Sequence, residues 1–290
     1  MKIDKLRWRF DVLFSKIRGR EVLEWSYIFK ELFKKHPSKS VSLQLEDIGE
    51  DLLKLHWPNG ITIYWPKIYK YEFLNFVYEE VYGHKGCIYE FPGKVDIYPG
   101  DVVIDGGACE GFFSLYCLSK GASVISIEPN PVVANALKRT LEPWIEKGKA
   151  IVVERLLGSK AGEMDLIVDP TNAGSSSIVD GWVTGSSVKV PVITLDQLIK
   201  ELNLSRVNFV KLDVEGAERE VVKGARATID EFQPKWAVAG YHLPDDYYVL
   251  IKLLKNMYHY YKVDVRETVL RYDKGKTPPF VRPLVIFAWK

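Results

Sequence analysis

Asp101-Val102-Val103-Ile104-Asp105-Gly106-Gly107-Ala108-Cys109-Glu110-Gly111-Phe112-Phe113-Ser114 reads as a buried strand, a glycine turn and the start of a helix. The β-branched run at 102–104 suits a parallel strand covered on both faces by helices. Gly106, Gly107 and Gly111 carry no Cβ atoms, so a nucleotide-like ligand can approach the backbone and lie against the N-terminal end of the next helix.

Two fingerprints fit this spacing. Gly106-x-Ala108-x-x-Gly111 matches a dinucleotide pattern, whereas Asp105-x-Gly107-x-x-x-Gly111 matches the first motif of S-adenosylmethionine (SAM) methyltransferases. A pyrophosphate needs positive potential, yet Asp105 and Glu110 flank the turn and none of its residues is Lys or Arg. SAM brings a sulfonium and an ammonium, for which carboxylates are suitable company, so the spacing is read as a SAM site.

Outward from the turn, Phe112–Lys120 forms a helix and Ser123–Ile127 a second buried strand, ending in Glu128-Pro129-Asn130-Pro131. A carboxylate about twenty residues past the glycines is where a nucleoside-binding α/β unit meets the ribose hydroxyls. Pro131 suits the first turn of a helix with its body at Val132–Leu141. Strands follow at Ala150–Glu154, Met164–Val168 and Val188–Val192. Asn172–Ser177 is a small polar loop, and Thr194 is an N-cap for the next helix.

The second informative stretch is Val207-Asn208-Phe209-Val210-Lys211-Leu212-Asp213-Val214-Glu215-Gly216-Ala217-Glu218, a buried strand running into a turn and then a helix over Ala217–Ile229. Strand alternation places Lys211, Asp213 and Glu215 on one side, at the carboxyl end of the strand where open α/β sheets bind ligands. Further on come a strand at Trp236–Gly240, His242 just beyond its end, a helix over Pro244–Met257, and strands at Tyr258–Val265 and Arg282–Trp289. The last two are joined by a loop holding Gly275 and Pro278-Pro279. His242 serves equally as a helix-capping histidine and as a general base.

Before the turn, apolar residues from Ile3 to Ile17 recur at helical spacing with Lys and Arg between them, and a second helix covers Glu21–Lys35. Residues 1–40 hold eleven Lys/Arg and five Asp/Glu, a local charge of +6 in a chain whose total is +2. This region fits a basic helix lying on an anionic membrane and equally a helical appendage packed on the main domain. Leu52–Trp57 and Ile61–Trp65 flank a Pro58-Asn59-Gly60 hairpin turn, Tyr69–Tyr82 is an aromatic-rich helix, and Cys87–Phe91 a short strand. The three cysteines show no metal-ligand spacing, and the chain has no apolar run of membrane-spanning length, which fits a cytoplasmic protein.

With these residues placed, the chain resembles the FkbM family of SAM-dependent methyltransferases, a branch of the class I (Rossmann-like) methyltransferases. The matching pieces are Ile104–Gly111, Ile127-Glu128-Pro129-Asn130, Ile193-Thr194-Leu195-Asp196 and Phe209–Glu218 followed by Lys223-Gly224-Ala225. The resemblance implies an α/β fold with a seven-stranded, mostly parallel sheet, helices on both faces and the last strand antiparallel, over residues 85–290, with 1–84 as a helical and hairpin appendage. It implies O-methylation of a hydroxyl on a sugar, glycan, polyketide or other small molecule. Asp105, Gly106, Gly107, Ala108 and Gly111 would hold the methionine end of SAM, and Glu128, with Pro129 and Asn130, the ribose. Cys109 departs from the glycine or small polar residue common at that position.

Asp213, Glu215 and His242 are the candidates to orient or deprotonate the acceptor, with Lys211 placed to tune the carboxylates or stabilise an alkoxide. Only two obvious ligands argue against a metal, although Asp213 and Glu215 could hold Mg²⁺ for a vicinal diol. RNA methylation through the basic N-terminal region and an inactive SAM-binding protein are the alternatives. No identifiable RNA-binding module supports the first, and the carboxylates at 213 and 215 argue against the second.

Overall fold

The computed structural model describes residues 43–84, 86–169, 176, 185–243, 245–271 and 280–290. The two N-terminal helices, the 172–177 loop apart from Ser176, and the loop holding Gly275 and Pro278-Pro279 lie outside the described residues.

Seven strands form the central sheet: β4 (Val102–Gly106), β5 (Ser123–Ile127), β6 (Ala150–Val153), β10 (Phe209–Leu212), β11 (Lys235–Ala239), β12 (Lys262–Arg271) and β13 (Phe280–Trp289). Their order is β12-β13-β11-β10-β4-β5-β6, and β13 runs antiparallel to both of its neighbours. The order reverses between β4 and β10, which pair in parallel with Lys211 beside Asp105 and Leu212 beside Gly106. Ligands settle outside the carboxyl ends of strands at such a switch point.

Both faces are covered, which explains the unbroken apolar runs in these strands. Val103, Val124, Phe209, Ala237 and Phe287 point to one layer with α1 (Leu74–Tyr82), α2 (Phe112–Ser119) and α3 (Pro131–Ile145). Ile104, Ile125, Val210, Val238 and Ile286 point to the other, with α4 (Leu195–Glu201), α5 (Glu218–Lys223), α6 (Arg226–Phe232) and α7 (Asp246–Met257). Helix starts follow the sequence signals. Asn130 caps α3 by accepting from Val132 N at 3.1 Å, with Pro131 at its first position, and Thr194 forms a capping box with Gln197.

β1 (Gln44–Asp47), β2 (Leu52–His56) and β3 (Thr62–Pro66) form a meander whose second turn is the Asn-Gly hairpin. It packs on the domain. Trp57 lies edge-on to Phe112 at 4.8 Å between ring centroids, and Tyr64 N donates to Thr140 Oγ1 at 2.9 Å. A second small sheet, β7-β9-β8, joins β7 (Leu156–Leu157), β8 (Gly162–Val168) and β9 (Ser186–Ile193).

Four elements differ from the sequence reading. α1 starts at Leu74, not Tyr69, because Tyr69 and the residues to Phe73 take turns that bury Tyr69 against Trp65. Cys87–Phe91 is irregular, with only a bridge between Phe91 and Val95, and Arg266 donates to the carbonyls of Cys87 and Glu90 in place of a strand partner. The helix expected over Ala217–Ile229 breaks into α5 and α6 at Gly224, where a Cβ would sit 2.2 Å from the Gly158 carbonyl oxygen. β12 starts at Lys262 because Tyr258–Tyr261 form a turn anchored by Tyr261 Oη on Pro234 O at 2.8 Å.

Candidate active site

The turn after β4 is held from behind. Asp105 is fully buried and Lys211 nearly so, and their side chains meet at 3.0 Å. Burial works against the ammonium, but Asp105 and Asp213 outweigh it and hold Lys211 above its ordinary value. Lys211 Nζ also donates to Gly107 O at 2.7 Å and Gly106 O at 3.2 Å, while Ser114 Oγ donates to Asp105 at 2.6 Å. Lys211 is thus aimed at the turn's carbonyls, and neither it nor Asp105 lines the cavity. The lysine that the turn itself lacks stands beneath it, with Asp105 compensating its charge.

Gly107 has φ +72, and a Cβ there would lie 1.9 Å from the Asp213 carbonyl oxygen. This close approach joins the turn after β4 to the turn after β10, and Asp213 N donates to Gly106 O at 3.0 Å. Cys109 also takes a left-handed conformation, φ 44, which explains why glycine is common there. Gly111, at φ 91, leads into α2 against Leu137.

A cavity opens over these turns. Ile127, Leu156, Leu157 and Leu166 make its apolar wall, and Gly107, Cys109, Glu128, Pro129, Asp213 and Glu215 also line it, joined by Ser176 of the small polar loop and by Arg155, which sequence reasoning missed. Glu128 accepts Cys109 N at 3.1 Å and Asn130 N at 2.9 Å, so the end of β5 and the glycine turn share one carboxylate. Burial nevertheless raises Glu128 to about 7, and Glu110 beside it to about 7. Asn130 faces away, capping α3 and donating to Tyr69 Oη at 3.1 Å.

Across the cavity, two tyrosine hydroxyls and an imidazole from two segments converge on Asp213. Tyr89 Oη donates to Oδ2 at 2.7 Å, Tyr241 Oη lies 3.2 and 3.3 Å from the two oxygens, and His242 Nε2 is 3.5 Å from Oδ1. Burial lifts the Tyr89 phenol well above its ordinary value, so it remains a donor. Neither tyrosine has a motif around it. Tyr89 lies in an irregular segment far from 213 in sequence, and only the switch-point geometry could have linked them.

His242 Nε2 lies 3.6 Å from Glu215 Oε2, and Nδ1 is 2.8 Å from Glu218 Oε1. Burial opposes a charged ring, but Glu218 and Glu215 outweigh it and hold His242 well above its ordinary value. Burial raises Glu215 while His242 pulls it down. Glu215 itself is left-handed, φ 51, a conformation that costs a non-glycine residue on the order of 1–3 kcal/mol and recurs at functional sites. Asp213, Glu215 and His242 present ligand-type atoms within 4.8 Å of one another, so His242 joins the two carboxylates that the sequence offered as candidate metal ligands.

A seven-stranded sheet with a glycine turn at the switch point, a carboxylate ending β5 and a cavity over both defines a Rossmann-like class I methyltransferase whose cofactor is SAM. The residues fit it: a turn with no room for a Cβ, a cavity-facing carboxylate and an apolar wall beside it. The chain belongs to the methyltransferase FkbM domain family, whose model matches residues 105–263. Hexuronic acid methyltransferase AglP of Haloferax volcanii is 32% identical over 124 residues, which span 43% of this chain and 49% of that protein. The 31-O-demethyl-FK506 methyltransferase FkbM of Streptomyces tacrolimicus is 28% identical over 59% of this chain and 74% of its own length. Among solved structures, methyltransferase FkbM from Methylobacillus flagellatus KT shares the fold, with a TM-score of 0.51 and 20% identity over 73% of this chain and 48% of that one. This chain therefore spans about half the length of two of these three proteins.

Proposed function

We propose that the protein methylates a hydroxyl oxygen of a small molecule or glycan, with Asp213 receiving the hydroxyl proton. The observation that carries this reading is the convergence of Tyr89, Tyr241 and His242 on one carboxylate at the cavity edge. The names of the hexuronic acid and FK506 relatives agree with an oxygen acceptor of sugar or polyketide type. The turn 105–111 would hold the methionine end of the cofactor, and Glu128 at the end of β5 would accept from the ribose hydroxyls, while Asn130 is committed to capping α3. Ile127, Leu156, Leu157 and Leu166 enclose the base. When bound, SAM supplies an activated methyl group together with its own leaving group.

The chain's task is then alignment and removal of one proton. Asp213 and Glu215 accept the hydroxyl's hydrogen bond, and Asp213 would take its proton as the oxygen acquires the methyl group that bound SAM would supply. On this metal-free reading His242, 3.5 Å from Asp213 and 3.6 Å from Glu215, offsets the repulsion between the two carboxylates when its ring is protonated. Lys211 supports the glycine turn and does not reach the acceptor. On this reading 85–290 is the methyltransferase domain and 1–84 an appendage, whose described part packs on it. No described helix is long and apolar enough to cross a membrane.

Purified protein with SAM and a panel of hexuronic acids, neutral sugars and polyketide alcohols tests the proposal. Asp213→Asn should lower kcat about a hundredfold and Glu215→Gln somewhat less, with SAM affinity within about threefold of wild type and EDTA without effect. Near-normal turnover in both variants sinks the assignment, and loss of activity in EDTA, restored by a divalent cation, sinks the metal-free part.

A further inference from the structure

Glu218 does not line this cavity, yet two backbone N–H groups and a ring nitrogen converge on its fully buried carboxylate. Oε1 accepts from Val214 N at 2.9 Å and lies 2.8 Å from His242 Nδ1, while Oε2 accepts from Gly216 N at 3.1 Å. Val214 and Gly216 flank the left-handed Glu215, and Gly216 has φ 99. A backbone that turns its N–H groups inward in this way makes a concave anion site. Here the anion is the chain's own side chain, from the first residue of α5.

One carboxylate therefore sets two things at once. It fixes the turn on which Asp213 and Glu215 stand, and it grips the far nitrogen of the ring that faces them. The hydrogen bond made by one imidazole nitrogen determines the proton and orientation of the other. The neighbouring Arg219 extends the grip: its Nε donates to Asp246 Oδ1 at 2.8 Å, and Asp246 Oδ2 accepts Leu243 N at 2.6 Å. The segment carrying Tyr241 and His242 is thus tied to the same turn of helix. The groups facing the His242 ring are Asp213 and Glu215 from the turn after β10, Glu218 from α5 and the Tyr241 ring at 4.2 Å. Asp246, at the start of α7, lies behind Glu218.

We propose that Glu218 is a positioning residue for methyl transfer, which holds a proton on His242 Nδ1 and keeps Nε2 turned toward Asp213 and Glu215. It rests on the reading of Asp213 as proton acceptor, and it explains why the run from Lys211 ends in Glu-Gly-Ala-Glu. Glu215 and Gly216 form the turn, and Glu218 fills it.

The test combines a double-mutant cycle with histidine NMR. Glu218→Gln and His242→Asn should each lower kcat about ten- to a hundredfold while SAM affinity stays within about threefold. Combined, they should cost no more than His242→Asn alone, because Glu218 acts through the ring. Multiplicative losses, or SAM affinity falling in step with kcat, overturn the proposal. The ¹⁵N-imidazole spectrum of the wild-type protein needs no variant: a hydrogen-bonded Nδ1–H is expected from pH 6 to 8, and an Nε2–H tautomer overturns the proposal. If no hydroxyl acceptor is methylated, the proton-acceptor reading falls, whereas this spectrum still decides whether Glu218 holds the ring.

Discussion

The turns after β4 and β10 stand side by side at the switch point, and they are built by opposite means. The first is fitted to its neighbours by what it lacks, since Gly107 leaves room for the Asp213 carbonyl and Gly111 for Leu137. The second is fitted by what it contains, a carboxylate at 218 that fills its own backbone concavity while Glu215 holds a left-handed conformation without glycine's freedom. A cofactor common to a whole fold class needs only open backbone and one carboxylate. Deprotonating a particular oxygen needs side chains fixed against each other, and those come from three separate loops.

The largest effect should come from closing the gap between the turns. Gly107→Ala adds a Cβ at φ +72 against backbone 1.9 Å away, and SAM binding measured by calorimetry should be lost, by about a thousandfold or more. Retained affinity would mean that the turns separate easily. Lys211→Met leaves Asp105 buried without its partner, so urea unfolding should show a loss of about 3–5 kcal/mol. A smaller loss would show that Ser114 alone satisfies Asp105. The mildest is a pH effect on the first turn. Burial holds Glu128 protonated in part below about 7, and ribose hydroxyls favour the ionised form. SAM affinity should therefore rise with pH from 6 to 8, by up to about tenfold. Glu128→Gln should flatten that rise, and an unchanged slope would remove Glu128 from the ribose.

Much of the first turn was legible because its determinants are local. A β-branched strand, glycines at fixed offsets and an acidic strand end lie within about thirty residues, and both the seven-stranded sheet and the Thr194 cap agree with the sequence reading. The second turn was legible as a cluster of charges, but not in its wiring. Alternation put Lys211 beside Asp213 and Glu215, yet β10 ends at Leu212, so only Lys211 obeys the strand's period, and that period sends it under the glycine turn. Tyr89 was hidden because its segment is fixed by Arg266 and by aromatic packing rather than by any strand pattern. The break between α5 and α6 was hidden for a related reason. Gly224 is needed by the Gly158 backbone, a contact between residues far apart in sequence.

The hydrogen bond from Asp213 N to Gly106 O, together with Lys211 beneath both turns, has an evolutionary consequence. Under the proposed function, a chain wired in this way inherits its cofactor turn and its proton acceptor as one unit. New acceptors must then be accommodated by residues outside this wiring, such as Arg155 and Ser176 on the cavity wall.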